Sequence, residues 1–226
     1  MPRKSKPDRP TARSGRGASG RKGASSRTGQ ETELRIIGGH FRGRKLSYHG
    51  DPIVRPMKHR TREAIFNLVG PEVEGRHAID LFAGTGALGL EALSRGAVSA
   101  TFIEKHVPSA RIVAENVAAL EVADRSQQLV TSAFVWAKRD IMSPTAAPPA
   151  GVPWLVFCSP PYDFFVERLP DMLDLVGRID QYAPPDSILV VEADERLDFE
   201  LLTSDDPSAW IVRTYAPAVV GIRRRG

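Results

Sequence analysis

The sequence predicts an α/β fold, a mostly parallel sheet with helices on both faces, and three observations predict it. From His77 onward, short apolar runs alternate with stretches of helical periodicity. One run, Ile79-Asp-Leu-Phe-Ala-Gly-Thr-Gly-Ala-Leu-Gly89, breaks into glycines and re-enters a helix. Another, Pro153-Trp-Leu-Val-Phe-Cys-Ser-Pro-Pro-Tyr162, stops at a polar residue, two prolines and an aromatic ring. An apolar run of that length fits a buried parallel strand, and the prolines forbid continuation as helix or ladder. A rigid loop is thus expected just beyond a strand end, the place where open α/β sheets bind ligands.

The chain begins with a basic arm. Residues 1–30 carry nine Lys or Arg against Asp8 alone, so the net charge of +4 divides into +8 there and −4 over residues 31–226. With no Leu, Ile, Val or Phe in that stretch, no amphipathic helix can form, and residues 1–33 read as a disordered arm suited to RNA. Next, Leu34-Arg-Ile-Ile-Gly-Gly-His-Phe-Arg-Gly-Arg-Lys-Leu46 alternates apolar and basic residues around glycines, predicting a β-hairpin. Ala64, Ile65, Leu68 and Val69 space a helix over 60–69. These elements form an extension over 34–75. Strands are then expected near 77–82, 99–104, 127–131, 153–158 and 187–192, and helices near 86–95, 107–120, 133–141 and 164–178. Strand-like runs at 210–215 and 217–223 predict a closing hairpin. The Pro-rich stretch 143–153 is a loop, and no internal repeat is present.

Composition narrows the chemistry. The 42% hydrophobic and 26% charged content is ordinary for a globular protein. One cysteine, Cys158, excludes an internal disulfide. The five histidines lack ligand spacing, so no metal is expected. No apolar stretch reaches membrane-spanning length, and with no targeting signal visible a cytoplasmic protein is expected.

In the glycine loop, Gly84 and Gly86 permit a tight turn and close approach to a ligand, while Gly89 permits close helix–strand packing. Glu104 ends the next strand, 20 residues beyond Gly84, where a carboxylate commonly takes a ribose diol. Nicotinamide enzymes share that fingerprint. Here, however, Asp80 sits at the strand end, and Phe82 and Ala83 intervene before the glycines. A carboxylate there repels phosphate and attracts a cation. S-adenosylmethionine offers both an ammonium and a sulfonium and has no phosphate.

At the proline corner, the Ser159 hydroxyl, the Pro160 carbonyl and the Tyr162 ring suit a flat heterocycle held by its exocyclic amine. Cys158 lies in the apolar strand and reads as buried and inert, and Phe164 and Phe165 read as packing, in the helix core or the pocket wall. Arg55, Lys58, Arg60 and Arg62 gather at a helix N-terminus, against its dipole. With Arg42 and Arg44 of the hairpin they predict phosphate contact.

Asp80-Leu-Phe-Ala-Gly-Thr-Gly-Ala-Leu-Gly-Leu-Glu-Ala-Leu-Ser-Arg-Gly96 together with Ser159-Pro-Pro-Tyr162 resembles the class I methyltransferases that act on exocyclic amines. More narrowly, Leu34-Arg-Ile-Ile-Gly-Gly39, Arg42-Gly-Arg-Lys-Leu46, Arg55-Pro56 and Arg60-Thr-Arg-Glu-Ala-Ile-Phe-Asn67 resemble the RsmD family, bacterial 16S ribosomal RNA guanine-N2 methyltransferases. The resemblance runs from about Leu34 to Val191. It implies a Rossmann-like, seven-stranded methyltransferase domain over 76–226. It also implies S-adenosylmethionine contacts from Asp80, Phe82, Ala83, Gly84, Thr85, Gly86 and Glu104, with adenine near Ser132 and Ala133. Ser159, Pro160 and Tyr162 would then form the target-base pocket, acting on 16S rRNA in the assembling small subunit, with a monomer and no membrane or metal partner expected. Two positions depart from the family pattern: Ser159 stands where Asp is usual, and Met57-Lys58-His59 where Thr-x-Asp is usual. A DNA adenine-N6 methyltransferase, a non-catalytic rRNA-binding assembly factor and a nicotinamide oxidoreductase are the competing readings; the last leaves Ser-Pro-Pro-Tyr unexplained.

Overall fold

Strand pairing carries the architecture. The computed structural model describes residues 34–48, 57–202 and 210–226; the basic arm, Arg55 and Pro56 lie outside the described residues. Five strands, β1 (His77–Asp80), β2 (Ser99–Ile103), β3 (Ser126–Leu129), β4 (Trp154–Cys158) and β5 (Ile188–Ala193), run parallel. The hairpin of β6 (Trp210–Tyr215) and β7 (Ala218–Arg224) closes the sheet, with β7 antiparallel to β5. The order is β3-β2-β1-β4-β5-β7-β6, a seven-stranded sheet. After β3 the chain crosses back to the other side of β1, so β1 and β4 flank the switch point, beyond whose carboxyl ends open α/β sheets bind ligands.

Side chains alternate across β4 with the strand period of two. Leu155 and Phe157 join one apolar cluster with α1 (His59–Val69), α2 (Ala87–Ser94) and α3 (Val107–Ala119). Trp154, Val156 and Cys158 join the other with α4 (Ala133–Arg139), α5 (Phe164–Glu167) and α6 (Leu169–Tyr182). Every residue of β1, β4 and β5 is buried, which is why β4 reads as a continuous apolar run rather than an alternating one. Gly89 is required by this packing: a Cβ there would meet the Phe102 ring at 2.5 Å.

Three expectations are corrected. The single helix expected over 164–178 is two, broken at Arg168, because Pro170 lacks an amide and its ring clashes with the carbonyl four residues earlier. The N-terminal hairpin reduces to one bridge, Arg35 to Lys45, flanked by Ile36 N–H to Arg44 O at 3.0 Å and Leu46 N–H to Leu34 O at 2.8 Å. Gly39 (φ +73°) lets the segment lie against the end of α2, where a Cβ would meet Ser94 O at 1.8 Å and His40 N–H donates to the same oxygen at 2.7 Å. The third correction is Arg62, expected on the RNA face and found fully buried.

Arg62 shares one stripe of α1 with Ile65, Phe66 and Val69, all buried. Its guanidinium donates to the Arg35 carbonyl, and its Nε lies 3.8 Å from Glu91 Oε2. Glu91, equally buried on α2, also accepts from Ile37 N–H (2.7 Å), Gly38 N–H (2.8 Å) and Arg95 Nε (2.8 Å). Glu91 therefore anchors the N-terminal segment, and Arg62 serves that anchor. Asn116 supplies a second anchor: its amide bonds Ser47 through both N–H (2.6 Å) and C=O (3.2 Å) and donates to Thr85 O at 2.9 Å. The segment carrying Arg42, Arg44 and Lys45 is thus tied to the glycine loop.

Candidate active site

The site grows from the carboxyl ends of β1 and β4. Asp80 pairs in register with Phe102 on one side and Phe157 on the other. Beyond it, Leu81 N–H reaches Phe157 O (3.0 Å) and Ala83 N–H reaches Ile103 O (3.0 Å). The chain then turns through Gly84 (φ +55°) and Gly86 (φ +78°), left-handed conformations that favour glycine. Thr85 between them is buried.

Asp80 is buried beneath this turn, and Oδ2 accepts from Gly89 N–H at 3.2 Å, capping α2. Its other oxygen, Oδ1, is buried without a hydrogen-bond partner. Burial, partly offset by the Gly89 bond, pushes the carboxyl up to about 7, with the Glu104 charge adding in the same direction. Glu104 joins the glycine loop to the β2–α3 connection, accepting from Gly84 N–H (2.8 Å) and His106 N–H (2.8 Å). Ser132 is the N-cap of α4, its hydroxyl accepting from Val135 N–H at 3.2 Å, and Ala133 is buried behind it.

Phe82 leads from this loop to the proline corner. Its ring lies 6.1 Å from Phe134 and 6.2 Å from Phe164, and those two are 6.1 Å apart. Arg168 stacks over Phe134 (4.2 Å) and Phe164 (5.1 Å), and Lys105 stands 5.6 Å above Phe164. One aromatic cluster, half-buried and bordered by cations, therefore spans the loops after β1, β3 and β4. Phe164, read from sequence as packing, belongs to this wall; Phe165 is buried in the core.

At the corner itself, Pro160 is buried while Ser159 and Tyr162 are half-buried. Both hydroxyls donate to one carboxylate: Ser159 Oγ to Glu192 Oε2, and Tyr162 OH to Glu192 Oε1 at 2.7 Å. Glu192 lies on β5, one residue beyond the Val191 that pairs with Cys158. Burial pushes its carboxyl up, and the two hydroxyls pull it back. Burial also pushes the Tyr162 phenol up, with the Glu192 charge next in importance. Burial raises the Cys158 thiol as well, which keeps it un-ionised and inert. Sequence reasoning missed Glu192; the available signal was a carboxylate in the otherwise apolar run Ile188-Leu-Val-Val-Glu-Ala193.

Of the basic residues, Arg42, Arg44, Lys58 and Arg60 are exposed. Arg44 also donates to Ala119 O at the end of α3.

Residues 34–205 match the family Conserved hypothetical protein 95. The Bacillus subtilis (strain 168) protein YlbH is 30% identical over 172 residues, which cover 76% of this chain and 89% of YlbH. Ribosomal RNA small subunit methyltransferase D of Escherichia coli (strain K12) is 45% identical over 92 residues, 41% of this chain and 46% of that relative, so the match spans about half its length. The chain belongs to the RsmD family of methyltransferases. Among solved structures, Escherichia coli yhhF superposes with a TM-score of 0.65 at 27% identity, covering 85% of this chain and 98% of that one. The Thermus thermophilus 16S rRNA N2 methyltransferase RsmC, in complex with AdoMet and guanosine, shares the fold at TM-score 0.63 and 21% identity, covering 86% of this chain and 50% of its own. The seven-stranded sheet is thus that of a Rossmann-like class I methyltransferase.

Proposed function

We propose that this RsmD-family chain transfers the methyl group of S-adenosylmethionine to the exocyclic N2 amine of a guanine in 16S rRNA of the assembling small subunit. The observation that carries the reading is adjacency: β1 and β4 are hydrogen-bonded neighbours, so the glycine loop and the proline corner leave the carboxyl ends of adjacent strands, where open α/β sheets bind ligands. The relatives named as ribosomal RNA small subunit methyltransferases support the RNA substrate.

The residues present fit the donor. Gly84 is half-buried at the turn and its amide is held by Glu104, which ends the neighbouring strand, while Asp80 lies beneath with Oδ1 lacking a hydrogen-bond partner. A cation above that loop would favour ionised Asp80. When bound, S-adenosylmethionine supplies an electrophilic methyl group on a positively charged sulfur. Ser159 and the Pro160 carbonyl would accept from the amine N–H groups, drawing the nitrogen lone pair out of the ring. Tyr162 would stack on the base, worth ~1–3 kcal/mol. The rate advantage would then come mainly from positioning and fixed dipoles. Arg42, Arg44, Lys58 and Arg60 would follow the phosphate backbone, and Arg55 belongs to the same proposal; Arg62 does not.

The test incubates the full chain with methyl-labelled donor and, in parallel, unmodified small-subunit RNA, naked or assembled, and unmethylated DNA, and maps the product. Label confined to N2 of a guanine is expected. Transfer only to adenine N6 of DNA, or donor binding without any transfer, would overturn the assignment.

A further inference from the structure

The carboxylate behind the proline corner has no part in the chemistry given so far. Glu192 is 6% exposed and sits at the end of a strand whose other residues are all apolar. Burying a carboxylate costs several kcal/mol unless it is paired, yet among the described residues no cation pairs with it. Its bonds are the two hydroxyls of Ser159 and Tyr162, one on each oxygen. A carboxylate buried only for packing could be replaced by an amide or an apolar residue at little cost. One that must receive a proton could not.

We infer that Glu192 is a positioning residue that turns the pocket into an acceptor-only surface and, through the Ser159 hydroxyl, receives the proton released by the methylated amine. The inference rests on the methyl-transfer reading above.

Ser159 and Tyr162 each own one hydroxyl proton, and both are engaged by Glu192. What remains toward the crevice is lone pairs, and Pro160 adds a carbonyl with no N–H of its own. A base edge offering N–H groups finds partners there. A carbonyl edge meets acceptors only, and unpaired buried polar groups are what reject such a ligand. The pocket thus selects an amine, as guanine N2 requires, because Glu192 orients its hydroxyls.

The same bond provides the proton's exit. As the methyl carbon bonds to the nitrogen lone pair, the carbon–sulfur bond breaks and sulfur keeps its electrons. The nitrogen, now cationic, gives a proton to Ser159 Oγ while Ser159 gives its own to Glu192 Oε2. Serine is regenerated, glutamate becomes neutral and the product amine is uncharged. Ser159 relays what it could not retain.

Full-length wild type, E192Q, S159A, S159D and S159D/E192Q are compared by kcat and KM for labelled methyl transfer to small-subunit RNA, with donor affinity measured by calorimetry. E192Q should lower kcat by about 10²-fold or more, with KM for RNA and donor affinity little changed. S159A, which severs the relay while keeping the Glu192 carboxylate and its Tyr162 bond, should lower kcat likewise and serves if E192Q folds poorly. S159D/E192Q, carrying its own carboxylate at the corner, should recover most of the rate. S159D alone sets two carboxylates against each other and should be slower than the double variant. Unchanged kcat in E192Q, or a loss that S159D/E192Q does not recover, overturns the role of Glu192 while leaving methyl transfer standing. Absence of any transfer by the wild type, with the donor bound, instead defeats the reading on which it rests.

Discussion

Replacing Glu91 by alanine should be among the most damaging changes available to this chain, and replacing its partner Arg62 by methionine among the mildest. The asymmetry follows from who else each group touches. Glu91 receives two backbone amides, Ile37 and Gly38, and the Arg95 guanidinium, with Arg62 completing the set at 3.8 Å. In E91A two amides lose their acceptor, at ~1–3 kcal/mol each, and a buried arginine loses its counter-charge, at ~3–5 kcal/mol; the low ends together come to about 5 kcal/mol. That rivals the whole stability of many domains, typically ~5–15 kcal/mol. In R62M, Glu91 keeps three donors. The Arg35 carbonyl loses one bond, but a guanidinium with Nε and Nη1 unbonded leaves the interior. Burial already holds the Arg62 pKa below the usual guanidinium value, so its removal also lifts a desolvation cost. R62M should stay within ~1 kcal/mol of wild type. Urea unfolding followed by fluorescence of Trp136, Trp154 and Trp210, all buried, reads both variants. An R62M variant as damaging as E91A, or an E91A loss below ~2 kcal/mol, would show that Glu91 does not anchor the N-terminal segment.

Two further outcomes are expected. R42E/R60E should weaken RNA binding and lower the slope of log affinity against log salt by about two, roughly one per phosphate contact. R62M should leave that slope unchanged, and filter binding across a salt series would expose the opposite. Asp80 and His77 should pull the pH dependence of stability in opposite directions. Folded Asp80 holds its proton up to about pH 7 against an ordinary 3.8. Its contribution is therefore full below the unfolded value and falls away as pH rises through about 7. Burial lowers His77 from 6.5 to about 4, so its contribution is present above the unfolded value and lost as pH falls toward 4. Removing the first trend by D80N should make stability relative to wild type climb between pH 4 and 7, measured by urea unfolding at each pH. A flat difference would place Asp80 at its ordinary value.

Much of this was legible in local sequence. The strand ends at Asp80 and Cys158, the glycine turn and the proline corner are written in contiguous residues, because backbone freedom and apolar runs act within a few positions. Arg62 was half legible: residues 62, 65, 66 and 69 form one helical stripe, so its spacing already put it with the apolar face. The charge itself argued the other way, and only the presence of Glu91 on another helix resolves the conflict. The break at Arg168 was legible from Pro170 alone.

By itself, then, the sequence determined the α/β class, the order of strands and helices, and the two loops that carry the proposed chemistry, since each depends on neighbours along the chain. The tertiary structure alone decided which side chains share a carboxylate. Ser159 meets Glu192 across 33 residues and Arg62 meets Glu91 across 29, because lateral strand pairing and helix packing, which no local spacing encodes, bring them together. Buried charge is where that matters most: its cost compels a partner, and the fold chooses which one.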